Sequence, residues 1–182
     1  MLKKHRKFLM IFGILVVAFL LFFPFPRKVD ISGEFFGWQN NNANFSENRT
    51  VALTGTYRKP LIGKPEFRGK LEIQGITEHW ETTDIIMLVQ SFGKHEGAIF
   101  PWFPESGNYM PSVGWHIVYS PDFSQITILM PSDSVDIGEI PDPVSWSAKD
   151  AKALTYPAAT REEAVALTNK WFPGSSDSGQ WN

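Results

Sequence analysis

The chain has 182 residues, no cysteine, and 17 Lys and Arg against 19 Asp and Glu. Without cysteine it holds no disulfide, thiolate metal site, cysteine nucleophile or acylated lipoprotein cysteine. Residues 1–28 carry six of the basic residues and no acid, leaving 11 bases against 19 acids, near −8, for the remainder; such a domain repels phosphate backbones, which argues against nucleic acid as a partner.

Residues 1–7 form a short basic start with Lys3, Lys4, Arg6 and Lys7. Phe8 to Phe23 then runs without a charge and without a polar face. As a helix it would rise about 24 Å, and Pro24-Phe25-Pro26 can carry the apolar stretch toward the interface. Its Leu, Ile, Phe and Val content favours insertion by roughly 4–8 kcal/mol. No small-residue cleavage pattern follows it, so residues 8–26 are expected to be an uncleaved transmembrane signal anchor. The four N-terminal bases outweigh Arg27 and Lys28, which predicts a cytoplasmic N-terminus and an extracytoplasmic domain over residues 29–172.

That domain has the period-2 pattern of strands. Residues 29–38 alternate and predict a first strand, followed by an Asn-rich loop over residues 39–48. Val51, Leu53 and Tyr57 oppose Thr50, Thr54 and Thr56, and Phe67, Leu71 and Ile73 oppose Arg68, Lys70, Glu72 and Gln74. Lys59 to Pro65 is a connection, and its shortness predicts antiparallel pairing of the strands it joins. Residues 85–92 are continuously apolar and predict a central strand, with Gly93 to Gly97 turning into residues 98–101. Trp102 to Gly114 predicts a long loop of Pro, Gly and aromatics. Residues 115–120 and 125–130 form another strand pair, residues 131–147 an acidic, Pro-rich loop, and residues 154–158 a last short strand. Thr160-Arg-Glu-Glu163 is a capping box opening a helix over residues 161–171, with Ala164, Leu167 and Trp171 on its apolar face. Residues 173–182 are expected to be a disordered tail. The expected fold is therefore mainly β, an antiparallel sandwich or partly open barrel with one C-terminal α-helix, preceded by one N-terminal transmembrane helix.

Gly55-Thr56-Tyr57, Phe67-Arg-Gly69-Lys-Leu-Glu-Ile73 and Tyr156-Pro-Ala-Ala-Thr-Arg-Glu-Glu-Ala164, behind a basic start and one apolar helix, resemble a group of small single-pass anchored extracytoplasmic proteins of Bacillus-type bacteria. The resemblance covers most of the chain. Its motifs are strand alternation and a helix cap, and the group carries no assigned activity, so the likeness implies location and architecture without functional residues.

Catalytic signatures are missing. There is no G-x-S-x-G and no S-x-x-K with its partner motifs, and no phosphate-cradling glycine loop. The best metal-type cluster is His79, Glu81 and Asp84 with His95 and Glu96, but the expected strand pairing places these groups near opposite ends of one strand, and His116 stands alone. Neither a metal nor a cofactor is expected. Two N-x-S/T triplets, at Asn44 and Asn48, indicate an exposed loop at most. The remaining feature is the aromatic set Phe100, Trp102, Phe103, Tyr109 and Trp115, interleaved with prolines. The plainer reading, rings covering the open end of the β core, is preferred; the alternative is a surface for a ligand or partner.

The functional expectation is a membrane-anchored extracytoplasmic binding or accessory module without catalysis, its partner an envelope protein, peptide or cell-wall component. The alternative is a cell-envelope hydrolase using Asp, Glu or His residues that no motif advertises.

Overall fold

Helix α1 (Leu2–Phe22) gives way to strand within three residues, because proline at 24 and 26 cannot continue a helix and biases the residue before it to extended backbone. The computed structural model describes residues 2–23, 25–77, 84–88, 95–103, 108–109, 115–130, 151–172 and 181. The first strand, β1 (Phe25–Gln39), already includes Phe25 and Pro26, which pair with Lys59 and Arg58. The apolar segment expected over residues 8–26 is thus cut at Phe22. Among the described residues no helix is long and apolar enough to cross a membrane. The uncharged part of α1, residues 8–22, rises only about 22 Å against a hydrocarbon core of about 30 Å.

The strand β2 (Asn42–Lys59) begins immediately after a two-residue turn in which Asn41 takes a left-handed φ of 62°. The Asn-rich stretch expected as a loop is therefore mostly strand. Its backbone pairs with β1 from Phe36↔Asn48 to Trp38↔Ser46, which satisfies the peptide groups while Asn44 and Asn48 stay exposed. Both N-x-S/T triplets lie on this strand. Then follow β3 (Glu66–Ile73), β4 (Asp84–Leu88), β5 (Glu96–Phe103), the two-residue β6 (Asn108–Tyr109), β7 (Trp115–Tyr119), β8 (Ile126–Met130) and β9 (Lys152–Tyr156).

All these pairings are antiparallel. Leaving aside β6, which is only a lip on β5, each strand pairs with its neighbours in sequence, and β9 returns to β1. An even number of antiparallel strands lets such a meander close on itself, and the result is a barrel-like sheet, nearly closed. Closure is incomplete along β1, which meets β9 only over Phe36–Gln39. Beyond that pairing, the Tyr156 ring stacks on Phe35 at 5.1 Å and takes the space beside Gly33 that a Cβ would need. Of the two folds the sequence allows, the barrel is the one formed.

Alternation sorts the side chains into two cores. Val29, Phe35, Val51, Leu53, Tyr57, Phe67, Leu71, Ile73, Ile117, Ile128 and others fill the interior. Gly55 and Gly69 face each other across β2 and β3, and the Phe67 ring occupies the space a Cβ on either would take, 2.7 and 2.8 Å away. One end of the interior is plugged by Phe123, which stacks on Tyr119 at 4.6 Å and meets Tyr57 edge-on at 5.1 Å. Phe123 reaches inward from the β7–β8 turn at φ 61°, a conformation costing about 1–2 kcal/mol and offset by burial of the ring, worth about 2–3 kcal/mol.

The second core lies outside the barrel wall, beneath helix α2 (Arg161–Trp171). The capping box forms as expected at one contact, the Glu163 amide donating to Thr160 Oγ1 at 3.3 Å, while the Glu163 carboxylate accepts from the amide of Ala159 at 2.9 Å. The buried positions of α2 are Ala164 and Thr168; Leu167 and Trp171 are only half-buried, a correction to the expected face. A threonine is tolerated there because its hydroxyl is fully engaged. Trp38 Nε1 donates to Thr155 Oγ1 at 3.0 Å, Thr155 and Thr127 hydroxyls lie 3.2 Å apart, Thr127 and Thr168 hydroxyls 3.0 Å apart, and Thr168 donates to the Ala164 carbonyl at 2.9 Å. This chain of buried hydroxyls ties β1, β8, β9 and α2 together.

Of the expected disordered tail, residues 173–180 lie outside the described residues, but Trp181 is held. It is 3 % exposed, packs edge-on against Trp38 at 5.8 Å, and exchanges backbone hydrogen bonds with the Asn169 side chain. The expected loop over residues 131–147 also falls outside the described residues.

Candidate functional site

Among the described residues, the end of the barrel nearest α1 includes the start of β1, the β2–β3 connection over residues 60–65 and the β7–β8 turn over residues 120–125. Arg27 joins two of them, donating from its guanidinium to the carbonyls of Pro121 at 3.2 Å and Asp122 at 3.0 Å. The turn is rigid in its own right: the Asp122 carboxylate accepts from the Ser120 hydroxyl at 2.6 Å, the Ser124 hydroxyl at 2.8 Å and the Ser124 amide at 3.1 Å. Those hydrogen bonds stabilise the charged form and hold its pKa far below the usual carboxylate range.

The β2–β3 connection makes the junction with the helix. The Ile62 amide donates to the Leu21 carbonyl at 3.0 Å, satisfying one of the carbonyls that a helix C-terminus leaves without an intrahelical partner. Gly63 supplies a φ of 134° that side-chain-bearing residues avoid, and it turns the tip beneath Pro60. The side chains of Leu61 and Ile62 point away from the core, 67 % and 51 % exposed. Beside them a ladder of rings, Phe19 to Phe23 at 4.8 Å and Phe23 to Phe25 at 5.6 Å, runs from the helix onto β1. Among the described residues, every large hydrophobic side chain that stands exposed belongs to residues 9–25 or is Leu61 or Ile62. Lys28, Arg58, Lys59 and Lys64 surround this end, all exposed.

The residues picked out from sequence distribute differently. Trp115 is not part of a surface: it sits on β7, 5 % exposed, inside the main core. The stretch expected as a loop from Trp102 is in part a small hairpin, with Trp102 opposite Tyr109 and Phe103 opposite Asn108. Phe100 lies within β5, opposite Ile86 of β4. The backbone thus brings Trp102, Phe103 and Tyr109 onto one hairpin and assigns Trp115 to the packed interior.

Of the metal-type cluster, His79 and Glu81 lie outside the described residues. Asp84 pairs with Lys70 at the start of β4, and Glu96 pairs with Val118. The β4–β5 register separates the two acids by about six positions along the sheet, or roughly 20 Å, so they form no joint site. His95 packs edge-on against Tyr119 at 6.2 Å and Trp171 at 5.1 Å. Among the described residues no group of three His, Asp or Glu side chains could hold a metal ion. Burial alone perturbs two titratable groups nearby, raising the pKa of Glu96 and lowering that of His116. Burial, then the neighbouring Tyr57, pushes the Tyr119 phenol well above its ordinary range.

The apolar tip at Leu61 and Ile62 was not singled out by sequence reasoning. The signal is there: two large aliphatic residues between Pro60 and Pro65, flanked by Lys59 and Lys64, in a connection whose other residues are all turn formers or charged. Comparison with protein-family models, with curated proteins and with solved structures gave no match.

Proposed function

We propose that this chain is a membrane-anchored extracytoplasmic barrel, acting as a binding or accessory module without catalysis. The observation that carries the reading is the concentration of exposed apolar side chains in α1 and at the barrel end beside it. An uninterrupted apolar surface of this kind on a globular protein marks a partner or a membrane. Lipid fits better than a protein groove, because the apolar residues of the helix encircle it instead of forming one stripe. The uncharged run of α1 is short for a bilayer, but Lys3, Lys4, Arg6 and Lys7 can extend their stems along the helix toward the headgroups, and local thinning costs only fractions of a kcal/mol per Å. Insertion is governed by bases close in sequence to the helix, where the N-terminal four outnumber Arg27 and Lys28, so the barrel is assigned to the outer side.

Among the described residues the buried polar side chains are Asn40, Thr77, Ser120, Thr127, Thr155 and Thr168, all uncharged. The hairpin that carries Trp102, Phe103 and Tyr109 is the surface we assign to an envelope protein, peptide or cell-wall component.

Single-cysteine labelling tests the arrangement, since the native chain has none to interfere. With a membrane-impermeant maleimide on intact cells, Asn44→Cys is expected to label and Lys4→Cys to label only after lysis. Equal protection of both before lysis would remove the extracytoplasmic assignment. For the partner surface, Trp102→Ala with Phe103→Ala should abolish the cross-linked species formed by the native chain in intact cells, at unchanged surface abundance.

A further inference from the structure

We propose that the β2–β3 turn is a second membrane contact, inserting Leu61 and Ile62 into the lipid interface beside the exit of α1. The inference rests on the anchor reading above and deepens it: the barrel would lie with one defined end against the bilayer instead of swinging from a tether.

Four observations carry it. Leu61 and Ile62 are the only large hydrophobic side chains of the described barrel, beyond the Phe25 at its root, that face solvent. They protrude at a tip shaped by Gly63 and bounded by Pro60 and Pro65, so few backbone states are lost when the tip is immobilised. The turn is bonded to the helix terminus itself, Ile62 amide to Leu21 carbonyl, which sets the tip at the level where the helix leaves the apolar layer. Finally, Lys59 and Lys64 flank the tip, and Lys28 and Arg58 lie exposed on the adjoining strands. Aliphatic side chains ringed by cations match an interface in which acyl chains lie just beneath anionic phosphates. A protein partner would not require that coincidence of an apolar tip, a basic rim and a bond to the helix end. The domain is acidic overall, and these four bases are a local attraction for an anionic surface at the end that also carries Asp122.

The full chain is reconstituted in vesicles of equal parts phosphatidylcholine and phosphatidylglycerol, with a nitroxide on Leu61→Cys, on Ile14→Cys in mid-helix, or on Asn44→Cys on β2. Collisions with oxygen, which prefers lipid, are compared with those of a water-soluble nickel chelate. We expect Ile14→Cys and Leu61→Cys both to show oxygen dominance, with the nickel response at residue 61 reduced several-fold relative to residue 44. A lipid-exposed label at 14 with a fully aqueous label at 61 overturns this proposal and leaves the anchor standing. An aqueous label at 14 overturns the anchor reading and this inference with it. Since Leu61 is exposed, its replacement does not disturb the core; Lys59→Glu with Lys64→Glu provides the second arm, in which the oxygen dominance at residue 61 should fall. Unchanged depth in that variant would remove the electrostatic part of the proposal.

Discussion

The Ile62 amide and the Leu21 carbonyl, 41 residues apart in the chain, are joined by a 3.0 Å hydrogen bond. The bond uses the backbone of Ile62 and leaves its side chain free. Leu61 and Ile62 therefore serve no packing purpose inside the barrel. Leu61→Ser with Ile62→Ser, which keeps the amide donor, should change unfolding free energy by no more than about 0.5 kcal/mol per site, measured as a urea midpoint at constant slope. A loss of several times that value would mean the pair packs in the core.

The hydroxyl chain under α2 makes a sharper stability claim. Thr168→Val keeps shape and removes one hydroxyl, while Thr127 retains its contact with Thr155. The expected cost is about 1 kcal/mol. Trp38→Phe removes the only nitrogen donor of the chain of contacts and should cost about 1–3 kcal/mol, because Thr155 stays buried. The double variant Thr127→Val with Thr168→Val should cost less than the sum of the single changes, and strict additivity in a double-mutant cycle would contradict a shared network.

Trp181 separates a loose tail from a structural one. Trp181→Ala removes a side chain that is 3 % exposed and packs against Trp38 and Phe172. The expected loss is about 3–5 kcal/mol. If the C-terminus is merely a tail, truncation after residue 172 leaves the urea midpoint unmoved.

His116 gives a pH dependence with a definite sign. Burial lowers its folded-state pKa below the ordinary 6.5. Above that value both states are neutral at this site and stability is unaffected. As pH falls below 6.5 the unfolded chain takes up a proton that the folded chain resists, so stability declines until the lowered folded value is passed. His116→Gln should flatten this segment of the stability profile. A titration of the His116 ring by NMR with a midpoint at or above 6.5 would contradict the assignment.

Most of the architecture was legible from period-2 alternation. Phe67, Leu71 and Ile73 face inward as their spacing requires, and Thr160 caps the helix with Glu163. Where the reading failed, long-range pairing had overridden local composition. The Asn-rich stretch after Gln39 lacks strand propensity, yet β1 lends it a partner, and of its two turn residues only Asn41 takes a left-handed φ. Of the expected α2 face, Ala164 is buried but Leu167 and Trp171 are only half-buried, and the second buried position is Thr168, whose place depends on hydroxyls of β8 and β9 far away in sequence. Trp115 was grouped with neighbouring aromatics by proximity in sequence, but the parity of β7 sends it into the core with Ile117 and Tyr119. The pair Leu61 and Ile62 stands out between two prolines and two lysines, but local sequence does not say whether such side chains fold onto the core or stay outside, which the bond from Ile62 to Leu21 decides here.

In the proposed arrangement α1 holds the barrel on a membrane. Its most direct measurement is alkaline carbonate extraction of membranes from cells producing the full chain, followed by intact mass of the extracted protein. The chain is expected to stay in the pellet at its full mass, and Leu15→Arg, worth about 3–4 kcal/mol against insertion, to shift it measurably to the supernatant. Native chain released by carbonate, or recovered only as a shortened form lacking residues 1–26, would contradict it.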